Sequence, residues 1–129
     1  MRRIFKTKVF ARWAHKSGLI DAALCAAVLE MARGLIDAEL GGGIVKKRIA
    51  LPGRGKSGST RTLIATNKGS RWFFVFGFEK NERDNIEPDE LAALKRLAGD
   101  LLKLSEAQLE RAALAGALTE ICHDLDETQ

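Results

Sequence analysis

Residues 44–83 read IVKKRIALPGRGKSGSTRTLIATNKGSRWFFVFGFEKNER, and this stretch decides the fold. Runs of β-branched and aromatic residues at 44–51, 60–66 and 72–78 have the composition of strands. The NKG sequence at 67–69 is typical of a tight turn between the second and third runs. Because consecutive strands with short links usually pair, the stretch predicts an antiparallel meander. The third run is so rich in Phe and Val that we place it in the middle of the sheet.

The same stretch is strongly basic. Residues 46–83 carry ten Lys and Arg against two acids. Residues 1–83 hold 17 basic and 6 acidic residues, a balance of +11, while residues 84–129 hold 4 and 11, a balance of −7. Such asymmetry predicts an anionic partner for the basic body, and nucleic acid is the commonest one. The alternative is that acidic C-terminal helices pack near the body and balance its field; both can hold together.

Weaker patterns lie on either side. Residues 3–12 favour a strand, and residues 19–34 have the apolar spacing of an amphipathic helix. A Gly-rich link at 40–43 follows. Pro88 suits the first turn of one helix, and a capping box at Ser105 opens another that we extend to about residue 121. We therefore predict an α+β fold in one domain of 129 residues, with about four antiparallel strands between an N-terminal helix and C-terminal helices.

A nucleotide-binding loop was considered for residues 50–57, ALPGRGKS, which fit a relaxed Walker pattern. A true P-loop leads directly into a helix, whereas this segment leads into a strand. The Gly-rich backbone and the cations Arg54, Lys56 and Arg61 still suit phosphate, and a polynucleotide backbone is the anion that we expect.

Other chemistry has little support in the sequence. Cys25 and Cys122 have no CxxC partner or ligand spacing, so we expect reduced structural thiols. His15 and His123 are distant from each other and suit surface or capping positions. We predict no metal and no cofactor. The basic N-terminus lacks an apolar signal segment, and we expect a cytoplasmic protein without a membrane partner.

Three motifs occur in a characteristic order: KSGSTR at 56–61, FVFGFEKNERDNI at 74–86, and EPDEL at 87–91. With them, the chain resembles the RelE/HigB-type toxins of bacterial type II toxin-antitoxin modules, within the RelE/ParE superfamily. The resemblance covers about residues 4–104, and the helix at about 105–123 is an addition to that core. It implies a small antiparallel sheet flanked by helices, which agrees with the elements above.

The resemblance also implies ribosome-dependent cleavage of messenger RNA. Arg61 would act on the scissile phosphate, with Lys80 and Arg83 beside it as further catalytic residues. Contacts to message or ribosomal RNA would come from five more cations, namely Lys46, Lys47, Arg48, Arg54 and Lys56. The implied partners are the ribosome, its message and a cognate antitoxin, which we expect to be a helix-turn-helix DNA-binding protein.

One departure from the family pattern bears on catalysis. The best-known relatives place a Tyr after the last strand and an Arg just beyond the Lys, where this chain has Glu87 and Asn81; it contains no Tyr at all. Cleavage needs a base for the ribose 2′-proton, cations for the phosphorane and an acid for the 5′-oxygen. A lysine base would need a pKa lowered by its cationic neighbours.

Two non-catalytic alternatives stay open. ParE toxins share the fold and poison DNA gyrase without cutting RNA, and a toxin of this kind could also block the ribosome by binding alone. A plain RNA-binding module would need exposed stacking aromatics, and outside the WFF run at 72–74, which we expect to be buried, none is evident.

Overall fold

The computed structural model describes residues 2–51 and 58–123. It has an α+β fold, as predicted, with helices on both faces of one six-stranded sheet. In chain order the elements are β1 (Arg3–Thr7), α1 (Lys8–Ser17), α2 (Asp21–Ala32), β2 (Ala38–Gly41), β3 (Ile44–Ile49), β4 (Thr60–Thr66), β5 (Arg71–Glu79), α3 (Pro88–Leu102), α4 (Glu106–Leu114) and β6 (Leu118–Ile121). The strand order across the sheet is β2-β3-β4-β5-β1-β6.

The predicted meander is confirmed. Strands β3, β4 and β5 are neighbours and antiparallel, with Arg48 opposite Arg61 and Arg61 opposite Phe78. The register between β4 and β5 shifts beside Leu63, which leaves Val75 as the additional residue of a bulge. β5 is central, and its side chains from Trp72 to Val75 are buried.

The sheet separates two hydrophobic layers. One face packs Val45, Ile64 and Phe74 against α1 and α2. The other face packs Ile44, Leu63 and Phe73 with α3 and α4. Because successive strand residues point to opposite faces, this division fixes the face that each polar strand residue occupies.

The N-terminal prediction was partly wrong. The strand ends at Thr7, and residues 8–12 are helical because the Thr7 side chain accepts a hydrogen bond from the Phe10 amide (3.2 Å) and caps α1. β1 then pairs in parallel with β5, so the sheet is mixed rather than antiparallel.

The sheet also has more strands than predicted. α4 ends at Leu114, and Gly116 adopts φ +81° in a turn that sends the chain into β6 rather than further helix. β6 pairs antiparallel with β1. β2 forms in the link before β3, which makes six strands in place of about four.

The expectation of reduced thiols is not met. Cys25 in α2 and Cys122, directly after β6, form a disulfide with their Cα atoms 5.6 Å apart. The spacing of 97 residues gave no sequence signal for this pairing. Among the described residues, none of the helices is both long and apolar enough to cross a membrane.

Candidate nucleic-acid interface

Two rows of side chains at one end of the sheet define a basic face. Lys46, Leu63 and Phe76 are cross-strand partners in the first row, and Arg48, Arg61 and Phe78 in the second. They share the face of Ile44 and Ala65, which pack with α3. The basic face comprises these polar and aromatic residues together with Arg83, that is, Lys46, Arg48, Arg61, Phe76, Phe78 and Arg83.

Two arginines lie opposite one another on this face. Arg48 is exposed and Arg61 half-buried, and they are direct cross-strand partners. Like charges in that position repel unless an anion lies between them. The Arg61 Nη1 donates to Ser59 Oγ (2.9 Å), a neutral partner that leaves its charge uncompensated by that bond. A negatively charged group placed between the two side chains would remove this repulsion.

Arg83 is fixed above the aromatic end of the rows. Its Cζ lies 5.5 Å from the Phe76 ring centre and 5.9 Å from that of Phe78. Its Nη1 donates to Glu90 Oε1 (2.5 Å). The Glu87 amide also donates to Glu90 (3.0 Å), and this bond, followed by that from Arg83, lowers the pKa of Glu90 below its ordinary value. Glu90 therefore stays ionised and holds the guanidinium in place.

The residues after β5 take different places. Lys80 and Asn81 are exposed in the turn that follows the strand. Glu87, at the place where the best-known relatives have Tyr, is the exposed N-cap residue of α3. The chain thus uses that position to begin a helix, and Pro88 follows in the first turn.

Lys47 does not belong to the basic face, contrary to the prediction. It points to the opposite side of β3 and is only 8% exposed. Its Nζ donates to the Leu35 carbonyl (2.9 Å) and pairs with Glu30 of α2 (2.8 Å). Arg54 and Lys56, also predicted to bind RNA, lie outside the described residues.

Sequence reasoning missed an aromatic pocket beside this face, which we call the edge pocket. The β1–β5 ladder ends at Phe74, so α1 rather than a strand flanks the last part of β5. The gap between them has a volume of about 320 Å³, and its walls include Val9, Trp13, Gly77, Phe78, Glu82 and Arg83. The helical spacing of Phe10, Trp13 and Ala14 is the sequence signal for α1. It was overlooked because residues 3–12 were interpreted as one strand.

The basic face suits a phosphodiester backbone. Arg guanidinium groups bind phosphate through several parallel hydrogen bonds, and two of them here face each other across adjacent strands. Within residues 2–51 and 58–123, no cluster of three His, Cys, Asp or Glu side chains is arranged to hold a metal ion.

A family model described as the RelE toxin of the RelE/RelB toxin-antitoxin system matches residues 2–121. The match spans every element of the structure from β1 to β6, including α4 and β6. A search of curated proteins found no match.

Proposed function

The chain belongs to the RelE toxin family of toxin-antitoxin systems, and on that premise we propose that it stops translation by cleaving messenger RNA on the ribosome. A toxin of this family pairs with an antitoxin. The observation that carries the cleavage proposal is the Arg48–Arg61 pair, two cations held opposite each other on the basic face, with Arg83 fixed nearby. The ribosomal target makes the cytoplasm the expected place of action.

In the proposed reaction the ribose 2′-oxygen attacks the adjacent phosphorus. The 2′-proton is removed, a 2′,3′-cyclic phosphate forms, and the bond from phosphorus to the 5′-oxygen breaks as that oxygen takes up a proton. The phosphorane gains negative charge along this path, and Arg61, with Arg48 opposite, would stabilise it electrostatically. Arg83, bound by Glu90, would hold the flanking nucleotide.

Proton transfer is the step for which the family's Tyr is missing. Arg guanidinium groups remain protonated in proteins, so Arg61 and Arg83 cannot exchange a proton with the substrate. Lys80, exposed directly after β5, is the one of the three predicted catalytic residues that can. We assign to Lys80 the donation of a proton to the departing 5′-oxygen, while water accepts the 2′-proton. Positioning by the ribosome supplies part of the barrier reduction.

The antitoxin is proposed to be a DNA-binding protein of the helix-turn-helix class. An acidic surface on it would complement the basic face, and charge complementarity of this kind favours fast and specific association. Displacement of the C-terminal α4 and β6 is a second way in which it could neutralise the toxin.

Cleavage is tested by mapping RNA ends on translated messages after the toxin is produced in cells. We expect cuts inside codons with the native chain. Arg61→Ala should abolish both the cuts and growth arrest, because removing one preorganised cation costs on the order of a hundredfold or more in rate. Lys80→Arg should keep ribosome binding and lose cleavage, since it conserves charge but not an exchangeable proton.

Lys68→Ala is the matched control. Lys68 is an exposed cation at the opposite end of β4, where it pairs with Glu39. Full cleavage by Arg61→Ala, or loss of cleavage by Lys68→Ala alone, would contradict the assignment.

A second candidate is inhibition of DNA gyrase without RNA cleavage. Two observations favour gyrase inhibition. The chain has no Tyr, and Glu87, at the place of the family's Tyr, serves as a helix cap. Growth arrest with intact messages and accumulated DNA breaks would support this candidate.

A further inference from the structure

The edge pocket has properties that the binding of phosphate alone does not require. Phosphate recognition needs cations and donors, whereas this gap has an aromatic and aliphatic wall formed by Val9, Trp13 and Phe78. Its volume of about 320 Å³ is at the lower end of the roughly 300–1,000 Å³ range of small-molecule pockets. The pocket is therefore suited to one flat, organic group.

The Trp13 indole lies directly on the β5 backbone. A Cβ atom built on Gly77 would come within 2.3 Å of the indole carbons, so only glycine leaves room for the ring there. Trp13 also contacts Phe10, with ring centres 5.6 Å apart. These contacts fix an aromatic surface next to the open part of β5.

Two polar side chains give the pocket directional chemistry. Arg83 and Glu82 line it and add donor and acceptor groups.

The pocket adjoins the basic face. Phe78 and Arg83 belong to both, and Phe78 is the cross-strand partner of Arg61. A nucleotide whose phosphate contacts Arg61 would thus have its base close to the aromatic wall. Unstacked bases in RNA-binding proteins are held in this manner, between aromatic rings and Arg guanidinium planes, with hydrogen bonds to their edges.

We propose that the edge pocket binds one unstacked base of the RNA whose phosphates lie on the basic face. This inference rests on the proposed function, because it takes RNA as the ligand. It adds a base-binding site formed by α1 and the end of β5 to the cations that bind the backbone. The base stacks on Trp13, and Arg83 and Glu82 supply donor and acceptor groups to its edge.

The test compares a short single-stranded RNA with an RNA of equal length that lacks its bases. We expect the native chain to bind the base-bearing RNA roughly five- to 150-fold more tightly, the range for stacking of one base. Base binding should also quench Trp13 fluorescence. The only other tryptophan, Trp72, is fully buried and should not respond, and Trp13→Phe identifies its background signal.

Variants separate stacking from phosphate binding. Trp13→Leu should remove most of the preference for bases and leave affinity for the abasic RNA unchanged. Trp13→Phe should keep part of the preference, because it retains an aromatic ring with a smaller stacking area. Leu114→Ala, at an 89% exposed position of α4, is the control. If Trp13→Leu does not fold, the native-chain comparison and its fluorescence still decide the question.

Equal affinity for the two RNAs without quenching would overturn the base site and leave the proposed function standing, provided that Arg61→Ala weakens binding of both. Absence of RNA binding even at low salt would overturn the basic face as well. Quenching of Trp13 by the cognate antitoxin but not by RNA would also overturn the base site and identify the pocket as a protein-binding surface.

Discussion

Lys47 and Arg48 show how one residue step separates a buried, paired cation from an exposed one. Both are basic strand residues, and the sequence placed both on the RNA surface. Adjacent strand residues point to opposite faces, so at most one of the two could lie there. Which of the two is exposed depends on which face of β3 is covered by a helix, and α2 packs on the face of Lys47. The Lys47 ammonium pairs with Glu30 and donates a hydrogen bond to the Leu35 carbonyl.

Substitution of these neighbours should therefore produce opposite effects. Lys47→Ala removes a half of an ion pair and a buried hydrogen bond, so we expect a loss of about 1–3 kcal/mol in the free energy of unfolding. Its RNA affinity should be unchanged. Arg48→Ala should weaken RNA binding and reduce its salt dependence, with a stability change near zero, because Arg48 is exposed. Urea denaturation and RNA titration measure both; a shared phenotype would contradict the placement.

The elements show where local signals were sufficient. β4 was predicted with its observed bounds because a clear turn follows it and its β-branched residues have no competing helical spacing. α1 was missed because Ile4, Phe5 and Val9 have strand propensity, while the event that ends the strand is a single cap at Thr7. β6 was missed because a short edge strand with few β-branched residues is indistinguishable from the end of a helix until it pairs with β1.

An ion network then fastens α4 and β6 to β1. Arg3 is 8% exposed, and its guanidinium donates to Glu106 (2.8 Å), Glu110 (2.8 Å) and Glu120 (2.7 and 2.9 Å). The hydrogen bonds from Arg3 lower the pKa of Glu120 below its ordinary value. The same bond with Glu120 raises the pKa of Arg3. Loss of one carboxylate leaves a buried guanidinium with fewer partners.

This network predicts a dependence of stability on acid. Because the pKa of Glu120 is lower in the folded state, the unfolded chain binds more protons below the ordinary glutamate pKa. The stabilisation is full above that ordinary value and is lost as pH falls through the folded pKa. Glu120→Gln should unfold at a lower temperature at pH 7 and lose less stability on acidification than the native chain.

The matched control is Glu39→Gln, which changes an exposed carboxylate paired with Lys68 outside the network. Its acid profile should follow that of the native chain. Parallel profiles for Glu120→Gln and the native chain would contradict the role given to Arg3.

At the scale of the whole molecule, the separation of charge has a structural explanation. Glu106 pairs with Arg3 and Arg71, cross-strand partners at the beginning of β1 and β5. The basic face lies near the other end of β5, at Phe78. The acidic C-terminal elements thus compensate cations at one end of the sheet and leave those at the other end available. The interpretation that acidic C-terminal elements pack near the basic body therefore holds at this end of the sheet, and an anionic partner for the basic face stays a prediction.

The disulfide joins α2 to the residue that follows β6, and its contribution to stability can be measured. It joins residues 97 positions apart, and a cross-link over so long a loop restricts the unfolded chain, with a stabilising effect of up to about 5 kcal/mol. Treatment with a dithiol should lower the thermal midpoint of the native chain. The double variant Cys25→Ser, Cys122→Ser should already be less stable and show no response to the dithiol. Two reactive thiols in the untreated, unfolded protein would contradict the bond.

The pairing of β1 also determines when the sheet can be completed during synthesis. β1, the first strand of the described chain, lies between β5 and β6, with Arg3 beside Arg71 and Ile4 beside Ile121. Contacts so distant along the chain form late. A nascent chain therefore cannot complete its sheet until Ile121 has emerged, when nearly all of the described chain has been made. A ribosome translating residues 2–120 therefore carries a chain whose sheet still lacks its last pairing partner.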